Sequence, residues 1–275
     1  MANNITATKQ QQFAANMLTL LKEGKGGKLV QFCESDRNVE GESYTFYRVA
    51  SSTTTNDLDL YKEGYVGTAG DAAKVTVNPK FVYAHGFKTE AELAVTKLDI
   101  KSAYLKSFKA AVDRAEDAEI IAAIAAEDTS LTKKGVATTA LTEQFNELVK
   151  AIAYAQALVG DNDDHGAKVA VVMNKKDYAE LFAVDKFASS EFFKITDVGT
   201  MLAGGLLVPT DAVTSGTVYI LPQNAVCFAS WKGGEKTNMT YNDGKDGYFI
   251  WARKSIGAKV AEADSIIKFQ AKAIA

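Results

Sequence analysis

This chain of 275 residues contains only two histidines, two cysteines and three prolines. A serine or cysteine nucleophile needs a histidine base that a third group orients. Neither His85 nor His165 has a recognisable nucleophile near it in sequence, and no G-x-S-x-G motif is present. Cys33 and Cys227 are far apart and form no disulfide framework, which favours a reducing compartment.

Motifs for metals and phosphates are incomplete. Residues 161–166 begin like a calcium loop, but the fifth position is His165 and the twelfth is Val172. The glycine-rich stretch 24–28 is not a Walker loop, because Leu29 follows its last lysine. Neither C-x-x-C nor H-E-x-x-H occurs. We therefore expect no metal site, no cofactor and no enzymatic activity.

No apolar run reaches 18 residues, and the polar segment 1–12 lacks a hydrophobic signal region. We expect a soluble chain without a membrane partner. Residues 1–30 and 245–275 each carry a net charge of +3, which leaves −9 between them. Basic termini around an acidic body suit contacts between subunits or with a polyanion, although ordinary solvated surface explains them equally well.

The first hundred residues predict one short helix and then a β-rich excursion. Apolar spacing over residues 10–22 predicts an amphipathic helix that ends at Gly24. Residues 38–95 then contain β-rich segments and a polar tip at 51–57. This excursion has little means of forming its own core, so we expect it to be buried on a neighbouring molecule.

Residues 99–127 give the clearest helix prediction. At about 1.5 Å per residue this helix is roughly 40 Å long. Its four acids, which lie between 113 and 119, favour a solvated face, with contact to a neighbour's lysines as the alternative. Apolar residues at steps of three or four predict one buried stripe, which consists of Tyr104, Phe108, Ala111, Ala115, Ala118, Ala122 and Ala125. Four larger side chains widen it: Leu105, Val112, Ile121 and Ile124.

The second half predicts a compact α/β unit. A polar linker over 128–141 precedes a helix that Thr142 caps and that stops at Gly160. Residues 169–173 form an apolar run, typical of a strand buried on both faces. Residues 195–216 are predicted to be irregular. The remaining predictions are a helix capped by Asn174 with Tyr178, Leu181 and Phe182 inward, and strands at 217–221, 225–231, 248–251 and 266–269.

This order of segments resembles the major capsid proteins of tailed bacteriophages, which have the Hong Kong 97-type fold. The resemblance covers most of the chain, and the collinear order gives it more weight than any single motif. The stretches similar to one branch of that family are Gly27-Lys28-Leu29 after the first helix, residues 39–46, residues 95–99 followed by Arg114, Asp117 and Ile120-Ile121, and residues 172–181.

The resemblance implies an α+β fold with four parts. These are an N-arm (1–37), an extended β-rich loop (38–95), a peripheral domain with a long spine helix (96–136 and 245–275), and an α/β axial domain (137–244). The axial domain is expected near the capsomer axis, where the segment 195–216 meets its symmetry mates.

The resemblance also implies a function. It predicts a non-enzymatic major capsid protein that assembles into hexamers and pentamers of an icosahedral head around double-stranded DNA. Expected partners are further copies of the chain, a portal, and scaffolding or decoration proteins. The expected location is the virion, after assembly in the host cytoplasm. Alternatives are an encapsulin-like protein compartment of the same fold and a soluble enzyme with an α/β core.

Six charged residues are candidate inter-subunit contacts. Lys22, Lys25 and Lys28 are expected to meet a neighbour's acidic surface or, as a weaker alternative, packaged DNA. Arg48, Asp113 and Glu116 are also expected to contact neighbouring subunits.

Overall fold

The computed structural model describes residues 27–49, 72–91, 100–159, 168–184, 193–196, 199–232 and 236–274. Within them the chain is a mixed α+β protein with three α-helices and two large sheets. The predicted helix over 10–22 lies outside the described residues. The helices are α1 (Ile100–Ala126), α2 (Phe145–Val159) and α3 (Lys175–Leu181).

A five-stranded sheet is built around one strand of 14 residues, which pairs antiparallel with three others. A fifth strand joins its edge in parallel, although its partner is about 190 residues away in sequence. The strands are β1 (Glu34–Val39), β4 (Lys80–Thr89), β11 (Val226–Trp231), β12 (Lys236–Asn242) and the long β13 (Gly247–Val260).

Helix α1 packs across one face of this sheet and confirms the predicted long helix. Ile120 and Ile124 share a buried cluster with Phe228 of β11 and Ile256 of β13. Burying side chains of this size contributes about 1.5–3 kcal/mol each. A Cβ added at Gly86 of β4 would lie 2.9 Å from the ring of Phe108, so this glycine allows the helix and the sheet to approach closely.

The predicted buried stripe of α1 was wrong in its second half. Ala118, Ala122 and Ala125 are exposed, whereas the isoleucine side chains of the neighbouring stripe are buried. A branched side chain removes more apolar surface from water than a methyl group, so the helix turns its isoleucines toward the sheet. The residues buried on α1 are Val112, Glu116, Ile120, Ile121 and Ile124.

A seven-stranded sheet forms the second layer, and α2 covers one of its faces. The strand β6 (Val169–Met173) lies inside it and is buried along its whole length, which confirms the predicted two-sided burial. Its side chains alternate between the cluster under α2 and the cluster shared with α1. In sheet order the strands are β5 (Thr132–Gly135), β14 (Ile267–Gln270), β10 (Thr217–Pro222), β6 (Val169–Met173), β9 (Gly205–Pro209), β8 (Gly199–Leu202) and β7 (Phe193–Thr196).

The hairpin of β2 (Tyr44–Val49) and β3 (Ala72–Val77) is antiparallel. Contrary to expectation, its base has a core within its own subunit. Phe46, Val75 and Val77 are buried against Trp231 and other side chains of the five-stranded sheet. Residues 50–71, which contain the predicted polar tip, lie outside the described residues.

Two local predictions before α2 were wrong. The linker 128–141 contains β5, which pairs in parallel with β14. Helix α2 begins at Phe145 rather than after Thr142. The side chain of Gln144 organises this turn: its oxygen accepts from the N–H of Val136 at 2.7 Å, and its amide donates to two carbonyls.

The segment 195–216 was predicted to be irregular, but β8 and β9 occupy much of it. Its glycines and threonines obscured the short strands, which their neighbours in the sheet stabilise. The cap of α3 is confirmed, because Asn174 accepts from the N–H of Lys176 at 2.9 Å. Leu181 is buried as predicted, whereas Phe182 is 48% exposed and does not face inward.

The two sheets do not follow the proposed domain limits. Strands β11 and β12 fall within 137–244 but pair in the five-stranded sheet, and β14 falls within 245–275 but pairs in the seven-stranded sheet. The chain passes between the sheets several times, so the limits of the sheets and those of the proposed domains differ. The four-part division of the chain stays a prediction.

Candidate assembly site

The start of the described chain is held by a carboxylate of α1. Asp117 accepts hydrogen bonds from the backbone N–H groups of Gly27 at 3.0 Å, Lys28 at 3.3 Å and Leu29 at 2.9 Å. Gly27 has φ +78°, a conformation that favours glycine. Burial raises the pKa of the Asp117 carboxyl, and the three N–H donors oppose that rise. Two separate motifs of the family resemblance, residues 27–29 and Asp117, therefore meet here. The turn at residues 27–29 is termed the hinge.

A buried ion pair lies beside this hinge. The Nζ atom of Lys254, on β13, lies 2.6 Å from a carboxylate oxygen of Glu116 and 3.8 Å from Asp113. Glu116 is 4% exposed and Lys254 is 6% exposed. Glu116 is thus engaged inside its subunit, which corrects its assignment as an inter-subunit contact. Asp113 is about one third exposed, and its contact with a neighbour stays a prediction.

The predicted solvated face of α1 was also wrong. Besides the buried Glu116, Asp117 holds the hinge, and Glu119 pairs with Lys80 of β4 at 2.6 Å. The sheet passes over these acids, and its lysines lie opposite three of them. Sequence spacing on the helix alone contains no information about those partners.

Arg48 fixes the base of the β2–β3 hairpin to its own subunit. Its Nε donates to Glu34 at 2.8 Å, one terminal nitrogen donates to Glu262 at 2.6 Å, and the other donates to the carbonyl of Asn224. These partners lie within the subunit, and a contact of Arg48 with a neighbouring subunit stays a prediction. The side chain of Lys28 is exposed. Lys22 and Lys25 lie outside the described residues.

The face of the five-stranded sheet opposite α1 carries exposed aromatic groups. Along β4, Phe81, Tyr83 and His85 alternate with inward residues, and Phe81 and Tyr83 are 61% and 57% exposed. Antiparallel pairing places Tyr83 opposite Arg253 and His85 opposite Trp251 on the same face. An exposed patch of this kind typically marks an interaction surface. The sequence reading missed this surface, although the alternation in residues 81–85 could have indicated it.

A second exposed surface is one edge of the seven-stranded sheet. The strand β7 is the last in the sheet order, and Ile195 within it is 78% exposed. An edge strand presents unpaired backbone groups that can pair with another chain. The end of β7 overlaps with the segment 195–216, which is expected to meet symmetry mates, and that contact stays a prediction.

The described cysteine and histidine side chains are poorly placed to act as a nucleophile and its base. Burial raises the pKa of Cys33 to about 12 and the pKa of Cys227 to about 11. A thiol must ionise to act as a nucleophile, so both are held inert near neutral pH. His85 is exposed beside the ring of Phe249, with 5.7 Å between the ring centres.

Neither a metal-binding cluster nor a membrane-spanning helix is present in the described part of the chain. No group of three or more histidine, cysteine, aspartate or glutamate side chains there could hold a metal ion. None of the helices it contains has both the length and the apolar character needed to cross a membrane. His165 and the calcium-like stretch around it lie outside the described residues.

We expect Asp117→Ala to lower the free energy of unfolding by about 2 kcal/mol, because three N–H donors lose a charged acceptor. Trypsin should also cleave more rapidly after Lys28. Asp117→Asn should have a smaller effect, since its amide oxygen still accepts. Asp211→Ala, on an exposed surface pair with Lys175, is the control. Equal unfolding energies and cleavage rates in all variants would show that the hinge does not depend on this carboxylate.

Comparison with solved structures shows the fold. The capsid of the cyanophage P-SCSP1u matches with a TM-score of 0.70 at 16% identity, over 95% of this chain and 92% of that chain. The head of the Helicobacter pylori bacteriophage KHP40 matches with a TM-score of 0.66 at 9% identity, over 100% and 98%. A virus-like particle from Pyrococcus furiosus matches with a TM-score of 0.56 at 14% identity, over 97% and 96%.

These matches confirm the expected α+β architecture of the Hong Kong 97 type. Curated proteins gave no match. A sequence model of the family described as "Phage capsid protein" matches residues 5–179, which is more than half of the chain. The chain therefore belongs to the phage capsid protein family.

Proposed function

We propose that this capsid protein is the major shell subunit of a tailed phage. Copies of it form hexamers and pentamers, which close into an icosahedral head around double-stranded DNA. The family match over residues 5–179 carries the proposal. The exposed aromatic face of the five-stranded sheet supports it, because a protein that works alone would leave such a face in water.

The favourable free energy of assembly is proposed to come from covering apolar surface that is already ordered in the free subunit. Phe81 and Tyr83 stand on a sheet that α1 supports from behind, so little ordering is needed when a neighbour covers them. Covering each aromatic side chain contributes about 1.5–3 kcal/mol before association costs. Many such contacts repeated around a shell make the closed particle stable.

The basic N-terminal segment is proposed to contact other molecules in the particle. Lys22, Lys25 and Lys28 would meet the acidic surface of a neighbour or, less favourably, packaged DNA. A portal and scaffolding or decoration proteins are further proposed partners, with assembly in the host cytoplasm before incorporation into the virion.

An encapsulin-like compartment is the competing shell. The family match favours the phage capsid, and particle contents distinguish the two. Particles recovered from infected cells should contain nuclease-protected DNA if the proposal is correct. Particles that enclose a protein cargo and no DNA would contradict it.

A further inference from the structure

An open groove lies on the aromatic face of the five-stranded sheet, beside the turn between β1 and β2. Its volume is about 550 Å³. Its floor is largely apolar, and three charged side chains stand around it. The lining residues are Val39, Glu40, Gly41, Pro79, Phe81, Trp231, Lys232, Arg253 and Ser255.

Among the residues that the structure describes, Arg253 is the one cation lining this groove that has no carboxylate partner. Its guanidinium lies over the ring of Trp251, 5.5 Å from the ring centre. Its Nε is buried and makes no hydrogen bond in the described part of the chain. Glu40, the acid in the groove, is engaged by Lys232 at 2.8 Å. An arginine has five N–H donors and no acceptor, and a buried donor without a partner is costly.

The surroundings have the composition of a protein interface. Phe81 forms one wall and is close to Tyr83, with 6.3 Å between the ring centres. Arginine, tryptophan and tyrosine are the residues most enriched among those that dominate binding energy. A guanidinium held over an aromatic ring is already ordered, so it can receive a carboxylate through two N–H groups at little further cost.

We propose that this groove receives a carboxylate side chain from a second copy of the chain, with Arg253 as its partner. This inference rests on the proposed shell function. Charge complementarity argues for this occupant. Two cations and one carboxylate line the groove, which gives it a net charge of +1. Each copy of the chain carries a net −9 outside its basic termini. Nucleic acid is a poorer fit, because phosphate chains are bound by several cations and Glu40 would repel them.

A zero-length cross-link tests the contact directly. Arg253→Lys places an amine in the groove, and a carbodiimide joins an amine to a carboxylate only when they are in contact. Particles are assembled from an equal mixture of 15N-labelled and unlabelled Arg253→Lys subunits, cross-linked and digested. We expect an amide between residue 253 and an aspartate or glutamate, found in mixed-isotope peptide pairs. Arg37→Lys, on the exposed part of β1 in the same sheet, gives the background.

A second measurement covers the case in which the cross-link is geometrically blocked. Arg253→Gln should raise the subunit concentration needed for assembly about tenfold or more, while Arg37→Gln leaves it unchanged. Thermal unfolding of the unassembled subunits checks that both variants fold. The inference is overturned if links occur only within single-isotope peptides and Arg253→Gln assembles like the unaltered chain. If the unaltered chain forms no particles, the proposed function fails first, and this inference fails with it.

Discussion

Replacing Lys254 with methionine is expected to lower the free energy of unfolding by about 3–5 kcal/mol. The ammonium of Lys254 lies 2.6 Å from Glu116, between α1 and the five-stranded sheet, where both side chains are almost fully buried. Removing the cation leaves a carboxylate without its partner in a place that water does not reach. A charge in that situation costs several kcal/mol.

The double variant Lys254→Met with Glu116→Leu should recover most of this loss, because no buried charge then remains. Lys150→Met is the matched control: Lys150 pairs with Glu147 at 2.7 Å on the surface of α2, and both side chains are mostly exposed. Its effect should stay below about 0.5 kcal/mol. Chemical denaturation of the unassembled subunit, followed by circular dichroism, measures all three. A single variant no more damaging than the control would contradict the buried pair.

Deleting residues 51–70, with a short glycine–serine linker in their place, is expected to abolish assembly without unfolding the subunit. The hairpin of β2 and β3 should remain, because Phe46, Val75 and Val77 are buried within the subunit and Arg48 holds its base. The deleted stretch begins with seven polar residues that offer nothing to a core. Its proposed role is to reach a neighbouring subunit, so its loss should act on assembly alone.

Light scattering and circular dichroism separate the two effects of that deletion. Thermal unfolding of the variant should match the unaltered subunit within a few degrees, while scattering shows no particles. Ser52→Ala with Thr54→Ala, which leaves the length unchanged, is the control and should assemble. A deletion variant that forms normal particles would show that this segment has no part in the shell.

Much of the secondary structure could be predicted from local patterns. Helix α1 was predicted within one residue at each end, since its long apolar periodicity has no glycine or proline to interrupt it. The strand β6 was recognisable as five consecutive apolar residues. Asn174 was recognisable as a cap because its side chain can satisfy an N–H at the start of a helix.

Pairing across long sequence distances could not be predicted. The parallel contact of β1 with β11 joins residues about 190 positions apart. For the same reason the burial of Glu116 was missed: its partner Lys254 is on a strand 138 positions away. Periodicity identified α1 as a helix but could not decide between its alanine and isoleucine stripes, because only the opposing sheet determines which is covered.

The candidate inter-subunit contacts were also affected by partners that are distant in sequence. Arg48 and Glu116 were chosen for their charge, and both proved to be engaged within the subunit. Arg253 was not chosen, because only the pairing of β4 with β13 places it on the same face as Phe81 and Tyr83. The remaining candidates for inter-subunit contact are Lys22, Lys25, Lys28, Arg48 and Asp113.

Electron microscopy of the purified chain under assembly conditions tests the central claim most directly. The claim predicts closed, isometric particles whose surface shows fivefold and sixfold clusters of subunits. A monodisperse monomer of 29.6 kDa, with no particles at any protein concentration or ionic strength, would contradict it.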